Sequence, residues 1–388
     1  VRLTLLDGQD RPLGGKKVTL TVSARFADPG APVLTDASGR ATLSFGIRAG
    51  QRHTGLAAGP VAIGAMDLTD NQPLTAITHV TVYNRVAVML AGVGTALSCT
   101  LQDCHDHIFP QLSADVLAPL GFNLNGDGLH RTELEYSYRG GAMKRLPNGT
   151  WQWLIAPYTA CDTIQPLSRS ESALRAMLQS YHARYPYTTF DLIGHSLGGL
   201  VALEGLAYDD GSFVRSLGPA AVDKIITIDA PVNGINQRLS LSLLGGLAAS
   251  IYYLRPCSNQ LYGAAVFTHL ISLGLQSPGL QERWATALHA VGVKVLTMSN
   301  RADTVVPESF AIIDDGHARH AADRARFTVP RGRSDGHAGL LSRTLSDGKP
   351  NPVWPVVVRL LQGYLTDPCL PFAPPGTACP YPSINLGF

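Results

Sequence analysis

The chain predicts an α/β architecture, a mostly parallel sheet flanked by helices, with a small all-β module in front of it. Three observations predict this. From Arg85 onward, short apolar runs without alternation (RVAVMLAG, FDLIG, DKIITIDA, VKVLTMSN) take turns with helical segments, as strands buried on both faces of a parallel sheet do. Before Arg85 the apolar residues fall instead at every second position, the mark of strands with one wet face. Hydrophobic residues make up 45% of the 388 and charged residues only 15%, so there is enough apolar side chain for a large core.

Residues 1–84 read as a β-sandwich. Val18, Leu20 and Val22 alternate with Thr19, Thr21 and Ser23; Ala41, Leu43 and Phe45 alternate with Thr42 and Ser44; Val80 and Val82 bracket Thr81. Turn-forming clusters (DGQDRPLGG, ADPGAP, TDASGR, LTDNQP) separate these runs. The pair DGQDRPLGGKKVTLTV and LTDASGRATLSF resembles bacterial immunoglobulin-like modules, which implies a stabilising or positioning role, with surface or polymer binding as the alternative.

Residues 85–388 carry the second part. RVAVMLAG and LEYSY (134–138) are its first strands. In SRSESALRAMLQSYHARYP, Ser168 and Glu171 have capping-box spacing, and Leu174, Met177, Leu178 and Tyr181 share a helical face until Pro186 stops it. FDLIG predicts a strand, HSLGGLVALEGLAY a helix and DKIITIDA a strand; VKVLTMSN and ARFTVP follow as strands, and PVVVRLLQGYL closes as a helix. Residues 369–388 form a Pro-rich tail.

The decisive segment is Phe190–Gly199, FDLIGHSLGG. It places a G-x-S-x-G between an apolar strand and an apolar helix, the context in which a serine can sit on a sharp turn with its hydroxyl exposed. Gly194 and Gly198 keep neighbouring side chains off that turn. On these residues the chain resembles the α/β-hydrolase superfamily, specifically its GHSLGG lipases and esterases, over roughly residues 85–368. The resemblance implies Ser196 as nucleophile, followed in chain order by an acid and a histidine. Asp303, in RADTVVP after the strand VKVLTMSN, matches the acid position, although it also reads as a turn aspartate; Asp229, in IITIDAPVNG, is the rival. His337, in SDGHAGLL after ARFTVP, matches the base; His317 and His320 precede that strand, and His195 is too close to Ser196 to act as base.

A tetrahedral oxyanion needs two N–H donors. The resemblance places one at Leu197 and the other in the Ala91-Gly92-Val93-Gly94 loop, at Val93, with Ala91 standing where relatives carry a His. No cofactor and no metal is implied. The implied reaction is acyl transfer to Ser196 and then to water. An acyltransferase, thioesterase or polyester hydrolase on the same scaffold, or a surface-binding protein without catalysis, are the alternatives.

Residues 235–290 form an insertion in which Arg255 is the one charged residue between Leu239 and Gln281. SLSLLGGLAASIYYL and LYGAAVFTHLISLGL read either as core helices or as an apolar cap facing acyl chains or a lipid interface. The first run is short and both contain Gly and Ser, which argues against a stable membrane span. Partners are therefore expected to be a lipid or ester substrate. A net charge of +2 without Lys/Arg runs argues against nucleic acid. Six cysteines (Cys99, Cys104, Cys161, Cys257, Cys369, Cys379), none in a CxxC pair, point away from a zinc site and towards disulfides in a secreted or extracytoplasmic protein, buried thiols being the alternative. The opening VRLTLLDGQD reads as strand and turn and not as a signal peptide.

Overall fold

A computed structural model describes residues 2–4, 9, 11–22, 27–29, 31–42, 45–47, 59–68, 72–82, 84–97, 108–124, 131–147, 149, 151–234, 260–276, 279–313, 322–329 and 336–366. The chain divides into two compact units, Val1–Asn84 and Arg85–Phe388.

Among the described residues of the first unit every strand pairing is antiparallel. β2 (Lys17–Val22) lies between β4 (Val33–Leu34) and β7 (Gly59–Asp67), and β7 pairs in turn with β8 (Gln72–Val82). β1 (Arg2–Thr4) pairs with β5 (Arg40–Thr42), and β3 (Ala27–Pro29) with β6 (Phe45–Ile47). The expected single strand through Ala41 and Phe45 is thus two strands serving different partners. The TDASGR turn is closed by Asp36, whose Oδ1 accepts the amides of Ser38 at 2.8 Å and Arg40 at 2.9 Å.

The second unit is built on a seven-stranded sheet in the order β10-β11-β9-β14-β15-β16-β17. Its strands are β9 (Asn84–Leu90), β10 (Asn123–Leu124), β11 (Thr132–Glu135), β14 (Thr188–His195), β15 (Val222–Ile228), β16 (Lys294–Asn300) and β17 (Asp323–Phe327). The pairs β10–β11, β11–β9, β14–β15, β15–β16 and β16–β17 are parallel. Between β11 and β14 the chain makes an antiparallel hairpin, β12 (Gly141–Arg145) with β13 (Trp151–Ile155), that the sequence pattern does not reveal.

The apolar runs lack alternation because both faces are covered. Along β9, Val86, Val88 and Leu90 enter one core with residues of α2 (Leu167–Arg184), α3 (Leu197–Leu217), α4 (Gln260–Gln276) and α5 (Leu280–Ala290). Ala87, Met89 and Ala91 enter the other, against the one-turn helix α1 (Pro110–Leu112) and α7 (Trp354–Thr366); the remaining one-turn helix is α6 (Glu308–Ala311). This is the expected α/β architecture, a mostly parallel sheet between helices. The chain winds outward from β9 to β10 and then returns to β14 on β9's other side. That reversal opens a crevice beyond the carboxyl ends of β9 and β14.

At the amino ends, the Arg85 guanidinium binds Asp191 at 2.6 Å, Asp223 at 3.0 Å and the Leu365 carbonyl at 2.7 Å, and Lys224 pairs with Asp223. Asp191, Asp223 and Lys224 are buried, and burial still pushes Asp191 up and Lys224 down from their ordinary values despite these partners.

Two local expectations are corrected. Helix α2 starts at Leu167 after Pro166, with no side-chain cap, because proline already sets the entry angle; Ser168 lies inside the first turn and Glu171 turns into the interior under Gly205. The capping box that does form is Thr159–Asp162, at the start of the short helix Ala160–Ile164. The second strand runs Thr132–Glu135 and not 134–138, because Glu133 and Glu135 are buried inside it, against Ser113 and the Ile108 amide.

Within the insertion, residues 235–259 lie outside the described residues. Helix α4 lies where LYGAAVFTHLISLGL was expected to be helical, and its Val266, Leu270 and Leu273 are buried in the core shared with α2 and α3. The tail 369–388 also lies outside the described residues. Cys161 is disulfide-bonded. No helix among the described residues is long and apolar enough to cross a membrane.

Candidate active site

One residue separates β14 from α3, and it is Ser196, with φ 53° and ψ −130°. Such a backbone costs a non-glycine residue about 1–3 kcal/mol and persists only when its surroundings enforce it. Here they do. The Ser196 amide donates to Ile228 O at 2.9 Å, and the Gly199 amide donates back to Ser196 O at 3.0 Å. A Cβ on Gly194 would stand 2.5 Å from Gly199 Cα, and one on Gly198 would collide with the carbonyls of Leu90 and Ala91. The two motif glycines therefore let α3 seat directly on the ends of β9 and β14. The Leu197 amide, first in the helix, has no acceptor within it and belongs to the end that favours negative charge.

The loop after β9 passes so close to the elbow that a Cβ on Gly92 would lie 2.6 Å from Ser196 Cβ and 3.1 Å from its Oγ. The loop is tied on all sides. Tyr138 Oη donates to Ala91 O at 2.6 Å, Thr95 Oγ1 donates to Gly92 O at 2.8 Å, and the Gly94 amide donates to Thr163 Oγ1 at 3.0 Å. Leu97 and Tyr158 exchange backbone hydrogen bonds. Val93 thus sits in a braced turn beside Ser196.

Asp303 and His337 meet here. Asp303 Oδ2 lies 2.6 Å from His337 Nδ1, while Oδ1 accepts the amides of Val305 at 2.7 Å and Val306 at 3.0 Å. The Asp303 carboxylate is fully buried and the imidazole about one fifth exposed. Proton placement on Nδ1 follows, since a carboxylate can only accept, which leaves Nε2 as the ring's basic atom. The same imidazole packs against the elbow, its ring centroid 4.7 Å from that of His195.

Asp229 takes a different partner. Its backbone is also left-handed (φ 46°), and its Oδ1 accepts the Asn300 amide at 2.6 Å. Among the described residues Oδ2 has no hydrogen-bond partner. Burial, reinforced by the neighbouring Asp303 charge, pushes this carboxyl well above the usual carboxylate range. His317 and His320 lie outside the described residues. No group of three or more His, Cys, Asp or Glu side chains among the described residues could hold a metal ion.

The family profile described as "PGAP1-like alpha/beta domain" matches residues 166–244, the stretch that carries α2, the elbow and β15. Among solved structures the chain is similar to a lipase-esterase related protein from Clostridium acetobutylicum at 11% identity, covering 72% of this chain and 94% of that one with a TM-score of 0.37. It is similar to an esterase from Exiguobacterium antarcticum at 14% identity, covering 63% and 84% with a TM-score of 0.32. A carboxylesterase structure from Nitrososphaera gargenis gives 14%, 73% and 90% with a TM-score of 0.40. No curated relative matches in sequence.

Sequence reasoning missed Asn300. Fully buried at the end of β16, it donates from Nδ2 to Gly336 O at 2.7 Å and accepts at Oδ1 from the amides of Ala302 and Val329, each at 3.1 Å. It joins the Asp303 loop, the end of β17 and the His337 loop. Thr163, which braces the Gly94 amide, was also unread. A polar residue ending an otherwise apolar strand (VKVLTMSN) was the available signal for Asn300.

Proposed function

We propose that the chain is a serine carboxylic-ester hydrolase. Ser196 Oγ attacks the ester carbonyl carbon as His337 Nε2 takes its proton; the oxyanion rests on the amides of Val93 and Leu197; the carbonyl re-forms, the alcohol leaves with the proton from His337, and water frees the acid by the reverse route. Asp303 holds the Nδ1 proton in place and steadies the imidazolium. The carrying observation is the Asp303–His337 pair packed onto the one-residue elbow at Ser196.

The apolar insertion favours fatty-acyl esters over small polar amides, which makes a lipase the preferred form of this activity. Residues 1–84 serve as an immunoglobulin-like positioning module. The disulfide at Cys161 supports an extracytoplasmic setting, as expected of a secreted enzyme.

Fluorophosphonate labelling tests the activity. The wild type is expected to be labelled on Ser196 and Ser196→Ala to remain unlabelled; failure of the wild type to react sinks the reading and leaves a surface-binding role. Release of free fatty acid from p-nitrophenyl esters, with no acceptor alcohol supplied, separates hydrolase from acyltransferase. A jump in rate above substrate solubility identifies a lipase, and its absence an esterase.

A further inference from the structure

We infer that His195, the residue before Ser196, is a positioning residue that fixes the backbone of His337 through a side-chain hydrogen bond to its carbonyl. The inference rests on the serine-hydrolase reading above.

His195 Nε2 lies 2.8 Å from His337 O. A carbonyl can only accept, so Nε2 carries the proton and the ring is the Nε2–H tautomer. The imidazole is buried, with Phe109 edge-on at 6.1 Å on one side and the His337 ring at 4.7 Å on the other. The preceding carbonyl, Gly336 O, is held by Asn300 Nδ2 at 2.7 Å. Two successive carbonyls are thus pinned from the ends of two strands, β14 and β16, and Asp303 pins the ring that hangs from them. Such a carbonyl pair leaves the base little freedom besides its own side-chain torsions, which is what a proton transfer within a few tenths of an ångström requires.

The donor also sits one residue from the nucleophile, so a shift of the elbow carries the base loop with it. This arrangement works only while His195 is neutral, because a cation there would face the imidazolium formed on His337. Burial, with His337 close by, lowers His195 to about 3.

Two substitutions separate donor from shape. His195→Phe keeps a buried ring but removes the N–H; His195→Gln places an amide N–H about where Nε2 stood. Fluorophosphonate labelling and p-nitrophenyl ester kinetics are expected to show kcat lower by about 30-fold with KM unchanged in His195→Phe, and a rate within about threefold of wild type in His195→Gln. Hydrogen exchange of the segment Gly336–Leu341, which reads the anchor without any turnover, is expected to speed up in the Phe variant and not in the Gln variant. If both variants lose equally, an N–H returned to that place does not restore function, and the inference is overturned. It is overturned too if His195→Phe matches wild type in rate and exchange. Were the wild type inert towards the phosphonate while the exchange contrast held, the anchor would stand and only the hydrolase reading would fall.

Discussion

Asp303 divides its carboxylate between two tasks, Oδ2 on the Nδ1 of His337 at 2.6 Å and Oδ1 on two amides of its own loop. Asp229, the other acid within reach by sequence, faces Asn300 instead. Asp303→Asn is therefore expected to lower kcat/KM by about 10³–10⁴-fold, because the amide selects the wrong imidazole tautomer. Asp229→Asn keeps an oxygen that can accept the Asn300 amide and is expected to cost less than about threefold. Steady-state ester kinetics on the two variants check this, and equal losses would reassign the acid.

The closeness of Gly92 to Ser196 gives a steric prediction. Gly92→Ala places a methyl 2.6 Å from Ser196 Cβ, so either the hydroxyl or the loop must move. Phosphonate labelling is expected to slow by about 100-fold. Gly198→Ala meets two backbone carbonyls that cannot step aside, and a loss of about 2–3 kcal/mol in chemical denaturation is expected.

Thr163 braces the loop without touching substrate. Thr163→Val keeps the shape but withdraws the acceptor from the Gly94 amide. Gly94 is exposed, so the freed amide turns to water and the loop is expected to loosen. A fall in kcat of about tenfold with KM unchanged is the expected kinetic signature; a change in KM alone would speak against a role in the oxyanion loop.

A pH dependence follows from the contact of α4 with α2 and α3. His269 on α4 bonds Glu204 on α3 at 2.9 Å, beside Glu171 and Arg175 on α2. Burial, with the Glu204 charge, raises Glu171 to about 7, and the hydrogen bond to Glu204 raises His269 above its usual value. Both folded groups hold their protons more tightly than unfolded ones. Glu171 binds more protons folded than unfolded between its ordinary value of 4.5 and about 7, so stability falls as pH rises through that window. The stabilisation from His269 is complete below 6.5 and lost above it as the folded group titrates. Hydrogen exchange in Gln260–Gln276 is expected to quicken between pH 5 and about 8, and Glu171→Gln is expected to remove part of that trend, about 2 kcal/mol. A trend unchanged in Glu171→Gln would assign the dependence elsewhere.

The elbow was readable because everything it needs lies within FDLIGHSLGG, and Asp303 and His337 because each stands in a loop directly after an apolar strand. Asn300 was not, since its partners lie up to 71 residues away and its own segment resembles any strand end. Ser168 and Glu171 misled for the opposite reason: they have a local pattern that Pro166 pre-empts and that the close approach of Gly205 overrides. Glu133 and Glu135 look solvent-facing in sequence, but inside the fold they are met by polar partners, the Ser113 hydroxyl on Glu133 and the Ile108 amide on Glu135.

The ionic knot of Arg85, Asp191, Asp223 and Lys224 lies at the amino end of the sheet, the opposite end from Ser196. What fastens the strands together and what is proposed to do chemistry on them are thereby held apart by the stretch of β14 from Asp191 to His195. Loops at the reactive rim can lengthen, shorten or change character over evolutionary time without loosening the frame. A substitution in the knot is expected to lower the midpoint of thermal unfolding while leaving phosphonate labelling of Ser196 unchanged.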